Sequence, residues 1–175
     1  MRQIRVEDAA AYLALQKRLD KETSFMLLEP GERTAGVEET AKRIQSAVEQ
    51  KNRTILVAEV AGRLVGWMEL IGGGVRRNRH SAYIVVGIRQ TYTGQGIGTR
   101  LFTAGENWAR QNGIHRLELT VMVHNRAALA LYPKRGFQVE GIRRDSLLVD
   151  GRYVDEYGMS KLIGDAQEGK SCVDV

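Results

Sequence analysis

Apolar residues recur along this chain with two periods, one typical of helices and the other typical of strands. Helical spacing predicts a helix over 8–20, with Asp8 as its N-cap, and further helices over 37–50, from Ile97 to a cap at Gly113, and from Asn125 to Leu131. Alternating and β-branched runs predict strands at 3–6, 54–60, 64–71, 81–88, 116–123 and 137–142, and a late hairpin that joins 147–148 to 153–159. This succession of strands and helices predicts a mixed α/β fold.

Alternation within the predicted strand 64–71 assigns its side chains to two faces of a sheet. One face carries Val65, Trp67 and Glu69, and the other carries Leu64, Gly66, Met68 and Leu70. Glu69 is therefore a carboxylate with apolar neighbours. In the centre of the sheet it would be a proton acceptor, whereas at an exposed position it would be an ordinary strand glutamate. The sequence leaves both interpretations open.

A glycine-rich turn, residues 93–98, joins the predicted strand 81–88 to the helix that follows. Gly94, Gly96 and Gly98 occupy alternate positions, so the backbone there can turn tightly and come close to a ligand. The helix that follows begins with unpaired N–H groups and the positive end of its dipole. Together the turn and the helix predict a phosphate-binding site.

Two common phosphate-binding motifs do not fit this turn. A P-loop needs Lys followed by Ser or Thr directly after its last glycine, but Thr99 and Arg100 follow Gly98. A dinucleotide fingerprint needs the spacing GxGxxG, and the three glycines here are spaced GxGxG.

A third motif fits. Residues 93–98, Thr-Gly-Gln-Gly-Ile-Gly, resemble the Arg/Gln-x-x-Gly-x-Gly/Ala motif with which the GNAT acetyltransferases bind the pyrophosphate of acetyl-coenzyme A. Thr93 departs from the motif, but the backbone N–H groups and not that side chain bind the phosphates. The segment 125–137 resembles a second motif of the same superfamily, Asn-x-x-Ala-x-x-x-Tyr-x-x-x-Gly-Phe. It matches at Asn125, Ala128, Tyr132, Gly136 and Phe137.

This resemblance implies a fold, a cofactor and a set of site residues. The implied fold is a GNAT-like central sheet, mostly antiparallel and of about seven strands, splayed between the fourth and fifth strands, with about four helices on its two faces. Tyr132 resembles the tyrosine that protonates or hydrogen-bonds the departing sulfur, and Glu69 is the candidate base for the acceptor amine. The implied acetyl-CoA contacts are Val86, Ile88, Gly94, Gln95, Gly96, Ile97, Gly98, Thr99, Asn125 and Tyr132. Gly87 would suit a bulge in the splayed strand.

The implied activity is transfer of an acetyl group from acetyl-CoA to a primary amine of a small molecule or a protein N-terminus, by direct attack in a ternary complex. The branch that contains ribosomal-protein alanine and spermidine acetyltransferases is the most similar. A catalytically silent acyl-CoA-binding module is the alternative. The segment 22–36 is expected to border the acceptor site, where Phe25, Met26, Leu27 and Leu28 would line it and Glu29 or Glu32 would attract an amine.

Composition narrows the class of protein further. At 175 residues and 43% hydrophobic residues, the chain predicts a single domain, 1–163, followed by a flexible tail, 164–175. The net charge of +5 permits nucleic-acid binding but does not argue for it, because the basic residues are spread along the chain, and no nucleic-acid partner is expected. Its one dense basic run, residues 76–80, is either a solvated hairpin tip or an electrostatic lip for an anion. The single Cys172 gives neither a disulfide framework nor a metal site, and no membrane segment is evident. We expect a cytoplasmic protein whose C-terminal strands would suit a homodimer.

Overall fold

The computed structural model describes residues 1–164 and shows a seven-stranded mixed sheet with helices on both faces. The strands are β1 (Arg2–Gln3), β2 (Arg53–Val60), β3 (Arg63–Gly72), β4 (Ser81–Ile88), β5 (Arg116–Met122), β6 (Gln138–Val149) and β7 (Arg152–Leu162). The helices are α1 (Ala9–Glu22), α2 (Val37–Glu49), α3 (Ile97–Gln111) and α4 (Arg126–Leu131). The mixed α/β prediction is confirmed. Residues 165–175, with most of the predicted tail and Cys172, lie outside the described residues.

The sheet has the order β1-β2-β3-β4-β5-β7-β6, and its strands are antiparallel except at one place. β4 and β5 run parallel and pair only at Ser81–Arg116, Ala82–Leu117 and Tyr83–Glu118. Beyond Tyr83 the two strands have no paired residues, although β4 continues to Ile88. The predicted splay between the fourth and fifth strands is confirmed, and it leaves an open notch between them.

Two hydrophobic clusters lie on opposite faces of the sheet. One cluster joins α1 and α2 to β2 and β3, and includes Tyr12, Leu19, Ile44 and Trp67. The other joins α3 to strands β2–β5 and β7. In α3, Ile97, Leu101 and Gly105 are all buried, because a spacing of four residues keeps them on one side of a helix. The notch therefore borders the part of the sheet, β2 to β4, that is packed on both faces.

Two local predictions on the N-terminal side are wrong. Asp8 does not cap α1 with its side chain; instead it accepts a hydrogen bond from the Arg5 N–H at 2.8 Å and closes a short 3-10 turn. Val65 does not share a face with Trp67, because a register shift in the β2–β3 pairing leaves it as an extra residue. It packs with the α3 cluster.

Two further differences concern Gly87 and the late strands. Gly87 pairs regularly with Trp67 and forms no bulge. Its missing side chain instead makes room for α1, since a Cβ there would lie 2.8 Å from the Leu19 Cδ1. The predicted short strands 137–142 and 147–148 are one strand, β6, which is interrupted by a bulge of three residues, 144–146.

Candidate active site

The notch is lined on one side by backbone groups of β4. The Arg89 N–H donates to the Val65 carbonyl at 2.9 Å, so it points towards β3. Because backbone groups of successive strand residues point in opposite directions, the amides of Ile88 and Val86 point away from β3 and into the notch. Neither has a partner on β5, since that pairing ends at Tyr83. Val86 and Ile88, two of the predicted acetyl-CoA contacts, therefore present free donors and acceptors to the notch.

The glycine turn follows β4 after a short 3-10 turn, Gln90–Tyr92, and its last two residues, Ile97 and Gly98, begin α3. Gly94 and Gly96 have φ angles of 75° and 74°, a conformation that strongly favours glycine. No side chain caps the N-terminus of α3, so its first N–H groups remain available. The side chains of Thr93 and Gln95 donate instead to the carbonyls of Gln90 and Thr91, at 2.7 and 3.1 Å. They hold the turn, which leaves its backbone to face a ligand.

Gly98, in the first turn of α3, brings three elements together. A Cβ at Gly98 would lie 2.7 Å from the Leu131 Cδ2 and 3.4 Å from the Ile88 Cδ1. Leu131 ends α4, and Ile88 ends β4. The start of α3, the end of β4 and the end of α4, which leads to Tyr132, therefore meet at this glycine.

Tyr132 lies at the end of α4. Asn125 begins that helix as predicted, because its side-chain oxygen accepts a hydrogen bond from the Ala128 N–H at 3.2 Å. The Tyr132 ring packs against Phe102 and Phe137, with centroids 5.6 and 6.0 Å away. Only 7% of the residue is exposed, and this burial raises the pKa of its hydroxyl to about 12. The hydroxyl is therefore a hydrogen-bond donor throughout the physiological pH range.

Glu69 is buried on the sheet face covered by α1 and α2. Its Oε1 accepts hydrogen bonds from the Arg53 Nε and Nη2 at 2.9 and 2.5 Å, and the Arg43 Nη2 lies 3.8 Å from its Oε2. In the β3–β4 pairing it stands opposite Val85, beside the notch. Glu69 is therefore not an exposed strand glutamate, and its role as a proton acceptor stays a prediction. The charge-paired partners were not foreseen, because Arg53 and Arg43 come from β2 and α2.

An ion cluster around Glu106 fixes α3 to the segment after Tyr132. The buried Glu106 carboxylate lies 2.9 Å from both the Arg135 Nη2 and the Lys161 Nζ, and 3.6 Å from the Arg110 Nη2. Sequence reasoning missed this cluster because the two shorter contacts join residues that are far apart in the chain. Its effect is to hold α3 and Tyr132 in one rigid unit.

The loop between α1 and α2 lies beside the end of β5, on the other side of the notch from β4. The rings of Phe25 and His124 lie 5.3 Å apart, so the loop covers the residues after β5. A cavity of about 410 Å³ opens there, lined by Ser24, His124, Val149, Asp150, Arg152 and Val154. Glu32 accepts a hydrogen bond from the Glu29 N–H at 2.7 Å and so holds its own loop. A hollow of about 470 Å³ on the β1 edge lies away from the notch.

The basic run 76–80 lies between β3 and β4, at the end of β4 opposite to the glycine turn. β4 is eight residues long, or roughly 26 Å at about 3.3 Å per residue. This separation favours the solvated hairpin tip over an electrostatic lip for the pyrophosphate. Among residues 1–164, no three His, Cys, Asp or Glu side chains are grouped as metal ligands. No helix in that range has both the length and the apolar character needed to cross a membrane.

Comparison with known proteins agrees with this geometry. Residues 16–137 match the Acetyltransferase (GNAT) family. The L-amino acid N-acetyltransferase AaaT of Escherichia coli is 32% identical over 111 residues, which are 61% of this chain and 67% of that one. The [ribosomal protein uS5]-alanine N-acetyltransferase of the same organism is 34% identical over 82 residues, or 46% of this chain and 42% of that one.

Solved structures share the whole fold. A GNAT-family acetyltransferase from Streptococcus pneumoniae superimposes with a TM-score of 0.89 at 31% identity, covering 93% of this chain and 98% of that one. A putative acetyltransferase from Salmonella typhimurium, solved with its cofactor acetyl-CoA, gives 0.83 at 19% identity, covering 98% and 97%. The chain therefore belongs to the GNAT acetyltransferase family, and it is an acetyl-CoA-dependent N-acetyltransferase.

Proposed function

We propose that the protein acetylates the α-amino group of an amino acid or of a peptide N-terminus, by direct attack of the amine on acetyl-CoA in a ternary complex. The names of the two E. coli relatives support this choice, because the acceptors that they give, an L-amino acid and an alanine of ribosomal protein uS5, carry an α-amino group. A peptide acceptor also suits the open cavity beside His124, which leaves room for a chain that extends outwards.

The binding site that we propose for acetyl-CoA extends from the glycine turn into the notch. The backbone N–H groups of 94–99 would bind the pyrophosphate, and the amides of Val86 and Ile88 would bind the pantetheine arm. The Asn125 side chain, already bonded to the Ala128 N–H, would contribute at the end of the arm. Most donors in this proposal are backbone groups held by regular structure, so little reordering is needed to bind the cofactor.

The chemistry proposed has three parts. A neutral amine attacks the thioester carbonyl, and a β4 backbone N–H stabilises the oxyanion, which is typically worth about 3 kcal/mol. The C–S bond then breaks, the Tyr132 hydroxyl donates a hydrogen bond to the departing thiolate, and the second proton of the acetylated nitrogen passes to this thiolate or to water. With its pKa near 12, Tyr132 is a much weaker acid than an ordinary thiol of pKa about 8.5. We therefore favour hydrogen bonding of the thiolate over complete proton transfer from Tyr132.

Glu69 remains the proposed proton acceptor for the amine. Its buried place opposite Val85 of β4, which borders the notch, supports this role, with water carrying the proton from the amine to the carboxylate. The Arg53 guanidinium occupies Oε1, so Oε2 is the oxygen that would accept the proton. Removal of the proton through water then makes the acceptor nucleophilic.

The observation that carries the proposal is the early end of the β4–β5 pairing beside the uncapped helix α3. The proposed function is tested by measuring thiol release from acetyl-CoA with a panel of amino acids, tetrapeptides with free N-termini and polyamines. Turnover with α-amino acceptors alone is expected. Tight acetyl-CoA binding by calorimetry without turnover would favour the silent acyl-CoA-binding module, and polyamine turnover alone would overturn the acceptor class.

We also propose a cytoplasmic homodimer. β6 is an edge strand, and Val139, Ile142, Leu148 and Tyr153 are exposed apolar residues on it and on β7. Light scattering coupled to gel filtration would measure the mass. A monomer at all concentrations would contradict the dimer and leave the chemistry proposed above unaffected.

A further inference from the structure

We propose that Glu156 binds the protonated amine of the acceptor and so selects cationic acceptors. This inference rests on the proposed function and adds a residue to it that neither motif contains. Glu156 lies on β7, and only 8% of the residue is exposed. A carboxylate buried to this degree is costly unless a positive partner compensates it.

The side chain of Glu156 projects from the face of the sheet that borders the acceptor cavity. Its neighbour across the β5–β7 pairing is Met122, and directly opposite residues of paired strands share a face. Leu119 and Val121 of β5 pack in the α3 cluster, so Met122 and Glu156 point to the other side. Val154, which lines the cavity, shares this face because it is two residues from Glu156 on the same strand.

A bulge in β6, the strand next to β7, places a polar side chain beside Glu156. The pairing passes from Arg143–Glu156 to Leu147–Val154, so residues 144–146 lie opposite Asp155 alone. Asp145 within the bulge has a φ of 50°, and its N–H donates to the Asp155 carboxylate at 2.9 Å. The bulge brings the Ser146 Oγ to 2.7 Å from the Glu156 Oε2. Bulges often redirect side chains beside functional sites.

One oxygen of Glu156 is available for a ligand. The Ser146 hydroxyl bonds Oε2, and the Arg143 Nη1 lies 3.6 Å from the same oxygen. The Arg143 side chain is 61% exposed, so it is a weak, solvent-screened partner. Within residues 1–164, no hydrogen bond is made to Oε1. A primary ammonium group, with three donors, matches this vacant acceptor.

Two facing glycines leave space beside the carboxylate. Gly158, two residues along β7, pairs with Gly141 on β6 and with Thr120 on β5. A Cβ built at Gly141 meets nothing within 4 Å, and one at Gly158 meets only the Gly141 carbonyl oxygen at 3.9 Å. The face of the sheet is therefore bare between Glu156 and Thr120. An amine bound by Glu156 has a short, open path along this face to the notch.

The test compares steady-state kinetics of the parent with Glu156→Gln, using an acceptor that the parent acetylates in the panel described above. The KM for the amine is expected to rise about 10- to 100-fold, as for loss of a charge-assisted hydrogen bond. Inhibition by the N-acetylated product should not weaken, because its amide nitrogen carries no positive charge. A structural disturbance would weaken both ligands.

Two further variants complete the experiment. Glu118→Gln is the matched control, since Glu118 is a carboxylate of the same β5 face that is 42% exposed and paired with Arg116. It should leave the amine KM unchanged. Gly158→Leu should fill the bare surface and raise the amine KM without changing acetyl-CoA affinity.

The outcomes separate this inference from the proposed function. An unchanged amine KM in Glu156→Gln, or an equal loss of amine and product binding, would overturn the inference while turnover by the parent still supports the proposed function. A parent that acetylates nothing in the panel would overturn the proposed function, and the inference with it.

Discussion

The hydroxyl oxygens of Tyr83 and Thr120 lie 2.8 Å apart, at the point where β4 and β5 separate. Tyr83 is the last residue of β4 that pairs with β5, and Thr120 lies two residues beyond its partner Glu118. The hydrogen bond between them therefore joins the strands at the base of the notch, after the backbone pairing has ended.

Removing this bond is expected to loosen the base of the notch. Tyr83→Phe and Thr120→Val should each lower the free energy of unfolding by about 1 kcal/mol, as for an ordinary hydrogen bond. The double variant should lose little more than either single one, because both remove the same contact. Denaturant titration of the four proteins measures the coupling, and strictly additive losses would contradict a direct bond.

Replacement of Tyr132 tests the proposed leaving-group interaction. Tyr132→Phe should lower kcat about 100-fold, since the departing sulfur loses its donor. Acetyl-CoA affinity should persist, because the packing with Phe102 and Phe137 does not need the hydroxyl. Thiol-release kinetics and calorimetry measure the two quantities. Equal turnover by the variant and the parent would remove Tyr132 from the mechanism.

The raised pKa of Tyr132 also predicts a pH dependence of stability. Burial disfavours the phenolate, so the folded pKa is about 12 against about 10 in the unfolded chain. The hydroxyl then adds no pH dependence below about pH 10, and stability is lost as pH rises from 10 towards 12. Unfolding free energies of the parent should fall more steeply than those of Tyr132→Phe over this range. Parallel curves would show that the hydroxyl is solvated.

Substitution of Gly98 tests the proposed acetyl-CoA binding site, and a second substitution at Leu131 is expected to restore part of the lost affinity. Gly98→Ala should push against Leu131, because the new Cβ would lie 2.7 Å from the Leu131 Cδ2. The affinity for acetyl-CoA is expected to fall at least about tenfold as the turn and α4 move apart. The double variant Gly98→Ala/Leu131→Ala should recover part of that loss. Calorimetry measures the affinity for acetyl-CoA in each variant. Unchanged affinity in Gly98→Ala would contradict a role for the close contact between Gly98 and Leu131 in cofactor binding.

Glu69 has a structural and a proposed catalytic role, and two variants separate them. Glu69→Gln should destabilise the fold by about 3 kcal/mol, since Arg53 loses its charged partner. Arg53→Met should destabilise it similarly but keep the carboxylate. If Glu69 is the base, only Glu69→Gln lowers kcat strongly at a temperature where both variants are folded. An equal loss of kcat in both would assign Glu69 to structure alone.

Local patterns predicted much of this molecule correctly. The spacing of apolar residues indicated most helices and strands. The glycines at 94, 96 and 98 indicated a tight turn, in which Gly94 and Gly96 have positive φ. Alternation failed at Val65, because a one-residue register shift is set by the partner strand and not by the strand itself. The β6 bulge was missed for the same reason.

Local sequence patterns could not predict the ion pairs of the site. Arg53–Glu69 and Arg135–Glu106 join residues 16 and 29 positions apart, and nothing in the intervening sequence encodes their contact. Glu156 stood in the predicted late hairpin, but its burial and its contact with Ser146 depend on the three-residue bulge. Chemistry carried by contiguous motifs was predictable, whereas chemistry assembled across strands required the fold.

The three residue pairs between β4 and β5 are the only strand pairing that connects the two halves of the sheet within residues 1–164. A molecule that fills the notch and bonds to both strands would act as an additional cross-link between those halves. Cofactor supply and protein lifetime are then thermodynamically linked: at 100 times its Kd, acetyl-CoA would stabilise the folded chain by about 2.7 kcal/mol. Cells rich in acetyl-CoA would accordingly hold more of this protein, even if its synthesis did not change.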